Sequence, residues 1–219
     1  MIGKMSALLI TIDGPAASGK SSVARLVADR LNIPFVSSGL LYRAATLLVL
    51  ERRINAQDEA AVLSCLAEHD VRLEALPTEP NRVHIDARDM SAALHTDDVD
   101  AGVSAVAAHP RLRGWVLEQL RAVPPPFVVE GRDMGTAVFP QATHKFYLNA
   151  APEVRARRRV GERHAGLSEV TEAIARRDRL DAKQSAPAPD AAQIDTSALT
   201  LEQVVAEVLG RVQETRVRP

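Results

Sequence analysis

The hydrophobic positions of the first fifty residues follow two different periods. Residues 7–13 (ALLITID) are nearly all apolar or β-branched, which is typical of a strand buried on both faces. Residues 19–31 then carry apolar side chains at helical spacing: Val23, Leu26, Val27 and Leu31. A short apolar run at 33–36 and a helical pattern at 38–52 follow in the same order. The chain is therefore predicted to begin as strand, glycine-containing loop, helix, strand and helix.

The pattern changes after a predicted helix at 57–69. Residues 71–76 and 82–88 alternate apolar and polar side chains on either side of a turn with the sequence PTEPN. Such alternation predicts an antiparallel hairpin. Because a hairpin interrupts the order of strand and helix, we expect an insertion here, near 65–105. The polar stretch at 95–100 is typical of a helix N-terminus.

The second half of the chain returns to short apolar strands and helices. The pattern predicts a helix at 110–123 that ends at three prolines, strands at 127–130 and 144–150, basic helices at 152–164 and 168–183, and a strand at 191–195. Thr200 and Gln203 have the spacing of a capping box, which predicts a closing helix to about Glu214. Five buried strands that alternate with helices predict an α/β fold with a parallel sheet covered on both faces.

The composition excludes several classes of protein. With 27 basic and 28 acidic residues the net charge is −1, which argues against binding to nucleic acid or a membrane through bulk charge. The single cysteine, Cys65, can form neither an internal disulfide nor a multi-cysteine zinc site, so we expect a buried thiol in a reducing compartment. The absence of an apolar stretch of about 20 residues and of a signal-peptide pattern predicts a soluble, cytoplasmic protein.

The loop after the first strand carries a phosphate-binding pattern. GPAASGKS (14–21) fits G-x-x-x-x-G-K-[ST], and it follows a predicted strand and opens a predicted helix. In such a loop the backbone N–H groups surround a phosphate, the lysine contacts the outer phosphates and the hydroxyl binds Mg²⁺. The spacing differs from the G-x-G-x-x-G of dinucleotide-binding folds. We therefore expect the phosphates of a nucleoside triphosphate, with Mg²⁺, on Gly14, Pro15, Ala16, Ala17, Ser18, Gly19, Lys20, Ser21 and Ser22; the loop alone does not distinguish a switch, a motor and a kinase.

Two other segments place charged side chains where a second anion would bind. SSGLLYR (37–43) brings Arg43 to the start of a helix, and EGRDMG (130–135) brings Arg132 and Asp133 just past the carboxyl end of a strand. Ligands of open α/β sheets bind at that edge, and the planar guanidinium group suits a phosphate. Arg43 and Arg132 are thus candidate ligands of a second phosphate; the alternative for each is a solvated surface charge.

Basic residues on two predicted helices form a third set. Arg155, Arg158 and Arg159 share one helix face at i, i+3 and i+4 spacing. In phosphoryl transfer such cations neutralise the charge on the transferred group and help to exclude water. A solvated basic face or a nucleic-acid contact would explain the same arginines, and Arg177 with Asp181 has the spacing of a surface ion pair. The phosphate loop favours a role in a site.

Together with DVDAGVSAVAAHPRLR, RRDRLDAKQSAP and IDTSALTLEQVV, these motifs resemble the bacterial cytidylate kinases, a family of nucleoside monophosphate kinases, over nearly the whole chain. The combination of SSGLLYR with GRDMGTAVFP is the most specific part, because other kinases of the class lack it. The resemblance implies a P-loop NTPase fold of the adenylate-kinase type with sheet order 2-3-1-4-5. It also implies phosphoryl transfer from ATP to CMP and dCMP in pyrimidine nucleotide metabolism.

The same resemblance implies an organisation of the chain and a role for individual residues. Residues 1–219 would form one kinase domain with a core (7–36, 124–150 and 185–219), a monophosphate-binding region (37–123) and a lid with its following helix (151–184). The implied CMP site contains Arg43 and Arg132 on the α-phosphate, Ser38, Arg113 and Asp133 on the base, Ser104, Arg177 and Asp181 on the sugar, and Tyr42 and Gln184. The implied catalytic residues are Lys20, Arg132 and the lid arginines Arg155, Arg158 and Arg159.

One residue departs from the family pattern. Position 184 usually carries arginine in this family, and here it is Gln184. Either Lys183 supplies the missing charge or the Gln184 amide donates to the base; both alternatives stay open. We expect Glu130 to be an outer magnesium ligand with Ser21, and its alternative is a buried carboxylate held by backbone donors.

The chemistry of cytosine agrees with the implied base contacts. Cytosine offers a donor at N4 and acceptors at N3 and O2, so Asp133 can accept from N4 while Arg113 and Ser38 donate to the ring. Uracil would place O4 against Asp133, which leaves two acceptors facing each other at about 1–3 kcal/mol. We expect a monomer that binds ATP and CMP or dCMP, without nucleic acid or membrane. The alternatives are another acceptor, such as UMP, dTMP or shikimate, and a nucleotide-dependent switch.

Overall fold

The structure is a computed structural model that describes residues 8–162, 166–181 and 185–217. The chain divides into two compact units. Unit 1 contains Met1–Phe35 and Pro125–Pro219, and unit 2 is Val36–Pro124. Each unit is described by itself below.

The elements alternate as the sequence patterns predict, with additions in the middle of the chain. In order they are β1 (Leu9–Asp13), α1 (Lys20–Leu31), β2 (Phe35–Ser37), α2 (Gly39–Glu51), α3 (Glu59–Ala67), β3 (Val71–Glu74), β4 (Arg82–Ile85), β5 (Arg88–Asp89), α4 (Asp97–Ala107), α5 (Pro110–Arg121), β6 (Phe127–Gly131), β7 (His144–Asn149), α6 (Pro152–Glu162), α7 (Leu167–Asp181), β8 (Ala192–Asp195) and α8 (Leu201–Val217). A 3₁₀ turn at Ser91–His95 precedes α4, and a π turn at Met134–Val138 follows β6.

The main sheet has the order β2-β6-β1-β7-β8. If only the five strands of this sheet are numbered, in chain order, this order becomes 2-3-1-4-5. The predicted fold class and strand order are therefore confirmed. Strand β1 pairs in parallel with β6 and β7, and β7 pairs in parallel with β8. In this register Asp13 lies beside Gly131, so the loops that leave β1 and β6 start from the same edge of the sheet.

The core of unit 1 explains why these segments form strands and helices. Every residue of β1 and of β6 is buried, as expected for strands covered on both faces. One face of α1 packs into the same apolar cluster as α8, through Val23 and Val27 on the first helix and Val204 and Val208 on the second. The capping box that opens α8 is present: Thr200 and Gln203 exchange hydrogen bonds of 2.8 and 3.2 Å.

Unit 2 contains the predicted hairpin, a further short strand that was not predicted, and a helix whose start the polar stretch at 95–100 indicated. Strands β3 and β4 pair in antiparallel fashion, and the two-residue strand β5 adds a third strand to this sheet. Helix α4 begins inside the polar stretch at 95–100, where the Thr96 hydroxyl accepts a hydrogen bond from Val99 N. Cys65 is buried, as expected. Among the described residues, no helix is long and apolar enough to cross a membrane.

Candidate active site

The phosphate loop connects β1 to α1, and its backbone requires glycine at two positions. Gly14 has φ 156°, and a Cβ placed on it would lie 2.2 Å from the carbonyl oxygen of Leu148. Gly19 has φ 87° and no side chain caps the helix that follows it. Helix α1, which begins at Lys20, thus starts without a capping side chain on its N-cap residue, and a helix N-terminus after a glycine loop is a common anion site.

The carbonyl side of this loop is held by arginines. Arg132 donates from Nη1 to Gly14 O at 2.7 Å, and Arg158 lies with Nη1 at 3.5 Å from Ser18 O. Arg158 also donates to the carbonyl oxygen and hydroxyl of Thr196, at 2.7 and 2.9 Å. Because a peptide's C=O and N–H point in opposite directions, donors on the carbonyl side favour loop amides that face inward.

A third arginine, Arg155, is buried under the same loop. It donates from Nη1 to Ala16 O at 3.2 Å and to Asp178 Oδ2 at 2.7 Å, and from Nε to Ala150 O at 3.1 Å. Of the three arginines predicted for the lid, Arg159 is half-buried on α6. The lid arginines Arg155 and Arg158 are thus both bonded to the phosphate loop in this structure.

The residues expected around ATP and Mg²⁺ have properties that fit these ligands. Lys20 Nζ lies 3.3 Å from Pro15 O and 4.0 Å from Glu130 Oε2, and Glu130 is buried at the end of β6. Ser18 Oγ is buried and finds no hydrogen-bond partner among the described residues. Ser21, like Ser22, is exposed on the first turn of α1. A carboxylate, a hydroxyl and an orphaned buried polar atom around a glycine cradle suit a magnesium–phosphate group.

A carboxylate that the sequence patterns did not single out, Asp13, joins β1 to the corner after β6. Its two oxygens accept hydrogen bonds from Met134 N at 2.9 Å and from Gly135 N at 2.8 Å. Burial raises the pKa of Asp13 from 3.8 to about 6, against the lowering effect of these two hydrogen bonds; the nearby charges of Asp133 and Glu130 raise it further. The carboxylate thereby fixes the backbone of the segment that carries Arg132 and Asp133.

Arg132 is also held from the other side, by α7. Its Nε donates to Asp181 Oδ2 at 2.8 Å, and both side chains are mostly buried. The structure therefore brings together two residues that were predicted for the CMP site. Asp133, which follows Arg132 in sequence, is buried at the start of the π turn.

The acceptor residues expected in unit 2 lie on α2, α4 and α5. Arg43 donates to Leu94 O at 2.8 Å and forms an ion pair with Asp100. The guanidinium of Arg113 lies over the ring of Tyr42, 5.6 Å from its centroid. Ser38 is buried at the start of α2, and Ser104 is half-buried on α4. Burial, with the charge of Arg43, lowers the pKa of His95.

Comparison with known proteins decides the family. The family model for cytidylate kinase matches residues 10–214. The chain belongs to the cytidylate kinase family. The cytidylate kinase of Deinococcus radiodurans is 58% identical over 205 residues, which cover 94% of this chain and 99% of the relative. The cytidylate kinase of Thermus thermophilus is 56% identical over 205 residues, 94% of this chain and 98% of the relative.

A solved structure supports the fold of this cytidylate kinase family member. A gluconokinase from Sinorhizobium meliloti is similar with a TM-score of 0.51 and 16% identity, over 96% of this chain and 95% of that one. At this identity the similarity concerns the fold, which agrees with the observed order of the parallel strands.

The remaining predicted residues differ in how far the structure describes them. Gln184 and Lys183 lie outside the described residues, and so does the side chain of Arg177. Their contacts with CMP stay predictions, as do those of the other site residues. Sequence reasoning missed Asp13, Asp100 and Asp178. Only Asp13 had a local signal, a single acidic residue at the end of an apolar run.

Proposed function

We propose that this enzyme transfers the γ-phosphoryl group of ATP to CMP and dCMP, which yields ADP with CDP or dCDP. The observation that carries the proposal is the glycine-dependent phosphate loop, with Lys20 at the start of α1, in a chain of the cytidylate kinase family. The reaction supplies pyrimidine nucleoside diphosphates.

We assign the donor site to unit 1. The N–H groups of residues 14–22, except Pro15, which has none, surround the β- and γ-phosphates of ATP, and Lys20 neutralises their outer oxygens. The residues that would hold Mg²⁺ are Ser21, through its hydroxyl, and Glu130, in the outer shell. The ion, when bound, neutralises phosphate charge and orients the triphosphate.

We assign the phosphate of CMP to Arg43 and Arg132. Each guanidinium has a planar fork that matches a phosphate, and each is already oriented by a carboxylate of its own unit, Asp100 or Asp181. Oriented arginines lose less side-chain entropy when the phosphate binds. The base contacts of Ser38, Arg113 and Asp133 and the sugar contacts of Ser104, Arg177 and Asp181 complete the acceptor site.

The phosphoryl transfer needs no strong base. A phosphate oxygen of CMP, already negative, forms the new P–O bond while the bond between the γ-phosphorus and the bridging oxygen breaks and ADP leaves. The contribution of the protein is position and charge neutralisation, by Lys20 and Arg132 and by Arg158 and Arg159 of the predicted lid.

A coupled assay of ADP release tests the proposal. With ATP and Mg²⁺ we expect turnover with CMP and dCMP, and at least about 5-fold lower kcat/KM with UMP, since the mismatch at Asp133 amounts to about 1–3 kcal/mol. The same assay with AMP, with shikimate and without any acceptor tests the alternative functions. ADP release that needs no acceptor would indicate a switch, and preference for another acceptor would refute the assignment.

Lys20→Ala tests the donor site. Removal of the cation should lower kcat by at least about 100-fold, in the range of other electrostatic contacts to a transition state. Arg30→Ala is the matched control, because it removes a charge from an exposed position on the same helix. Normal turnover in Lys20→Ala would refute the assignment of the loop.

We further propose that the enzyme is a cytoplasmic monomer without nucleic-acid or membrane partners. ATP and CMP are cytoplasmic metabolites, and the balanced charge offers no general attraction to polyanions. Sedimentation velocity with and without duplex DNA tests the oligomeric state and the nucleic-acid binding.

A further inference from the structure

A buried ion pair under the phosphate loop has no assigned role. Only 6% of Arg155 is exposed, and its Nη1 bridges the loop carbonyl of Ala16 and the carboxylate of Asp178 on α7. Asp178 itself is partly exposed at the edge of this contact. Neither position alone suggests such a pair, since the two residues are 23 apart in sequence.

Asp178 is the group that makes the position of Arg155 tenable. A guanidinium that is removed from water must be compensated by a carboxylate and by hydrogen bonds, or it moves towards solvent. Arg155 obtains its charge compensation from Asp178 and its further hydrogen bonds from Ala150 O and Ala16 O. If the carboxylate were removed, the bond to Ala16 would therefore weaken.

The bond to Ala16 matters because of the peptide that follows it. The peptide group is planar, so a carbonyl held outward at Ala16 directs the N–H of Ala17 to the opposite side. Ala17 has φ 58°, which an L-residue adopts only when its surroundings enforce it. Arg155 is a neighbour that enforces this orientation from the carbonyl side.

We propose that Asp178 is a positioning residue for ATP: through Arg155 it fixes the Ala16–Ala17 peptide so that the N–H of Ala17 faces the phosphates. The inference rests on the proposed function in one respect, that the loop binds ATP. It gives Arg155 a fixed structural role under the loop, in contrast to the mobile lid role that the family resemblance implies for it.

The first test measures the dissociation constant of a non-hydrolysable ATP analogue by calorimetry, together with both KM values. Asp178→Asn keeps the size of the side chain and removes its charge, and we expect about 10-fold weaker ATP binding, typical of a charge-assisted contact. The KM for CMP should change less than about 2-fold. Asp178→Glu should recover part of the affinity, and Glu172→Gln, at an exposed position on the same helix, should match the wild type.

The second test asks whether Asp178 acts through Arg155. In an Arg155→Met background, or in Arg155→Lys if the former does not fold, Asp178→Asn should cause less than about a 2-fold further loss of ATP affinity. A full, additive loss contradicts the proposal, and so does an equal rise in both KM values, which would indicate a general structural role. If the wild-type enzyme binds no ATP, the proposed function fails instead.

Discussion

At the scale of single residues, the side chain of Asp13 is buried, where a negative charge is costly. Asp13 is only 4% exposed, and the two backbone N–H groups that donate to its carboxylate offset part of the cost of burial. Its pKa therefore rises from 3.8 to about 6. Because the folded state holds this proton more tightly than the unfolded state, the contribution of Asp13 to stability is fully present below pH 3.8 and is lost as the pH rises through about 6.

Asp13→Asn tests whether the contribution of Asp13 to stability falls as the pH rises. The amide does not titrate, so the free energy of unfolding of the wild type, relative to the variant, should fall by about 2–3 kcal/mol between pH 4 and pH 8. Urea unfolding at a series of pH values measures this difference. Asp29→Asn, at an exposed position on α1, is the control for the loss of a carboxylate. A constant difference for Asp13→Asn would mean that the buried carboxylate ionises normally.

The sequence predicted the arginines of the site better than their partners. Arg132 follows a strand in a recognisable motif, and Arg155 shares a helix face with two other arginines. The carboxylates that hold Arg43 and Arg132 lie 57 and 49 residues away in sequence. Such pairs form only through tertiary packing, and the local pattern of charges contains no information about them.

At the scale of elements, the sequence indicated the start of α4 but not its extent. Val99, Val103 and Val106 are buried at helical spacing along this helix, but Gly102 and a short length weaken the pattern. The tertiary structure supplies the reason for the glycine. A Cβ on Gly102 would lie 3.0 Å from Thr46 Cγ2 on α2, so an alanine here would require Thr46 to shift by a few tenths of an ångström. The two-residue strand β5 is too short to give any sequence pattern.

Two glycine substitutions in unit 2 test this close packing. Gly114 lies in α5 with no atom within 4 Å of its virtual Cβ, so Gly114→Ala should raise the free energy of unfolding by about 1 kcal/mol, the difference in helix propensity. In Gly102→Ala the free energy of unfolding should rise by at least about 1 kcal/mol less than in Gly114→Ala, because Thr46 must move. Chemical denaturation measures both.

A further variant separates packing from propensity. Thr46→Ser removes the crowding methyl group and retains the hydroxyl, which donates to Tyr42 O at 2.8 Å. In this background Gly102→Ala should recover most of the stabilisation that Gly114→Ala shows. Equal effects of the two glycine substitutions in the wild-type background would contradict close packing of α2 on α4.

At the scale of the whole molecule, the strand patterns were sufficient for the fold class. Each of the five strands is short, and the helices between them require parallel crossovers. The strand order 2-3-1-4-5 came from the family resemblance, because the pattern of one strand does not name its neighbours. The boundaries between the two units, at Phe35 and Pro124, are set by how densely residues contact one another in space and not by the pattern of the strands.

The binding of ATP should be visible in the stability of the whole chain. A ligand that binds only the folded state at 100 times its dissociation constant adds about 2.7 kcal/mol, and for a chain of this size that corresponds to about 5–10 °C in Tm. Because the phosphate loop lies in unit 1, Mg²⁺ and ATP should raise the Tm of the calorimetric transition that includes this unit. The fluorescence of Trp115, the only tryptophan and a residue of unit 2, then reports whether the second unit unfolds in the same transition.

Lys20→Ala, or the removal of Mg²⁺ with EDTA, should abolish most of this increase in Tm, whereas Arg30→Ala should retain it. A shift that survives Lys20→Ala undiminished would place the nucleotide somewhere other than the phosphate loop.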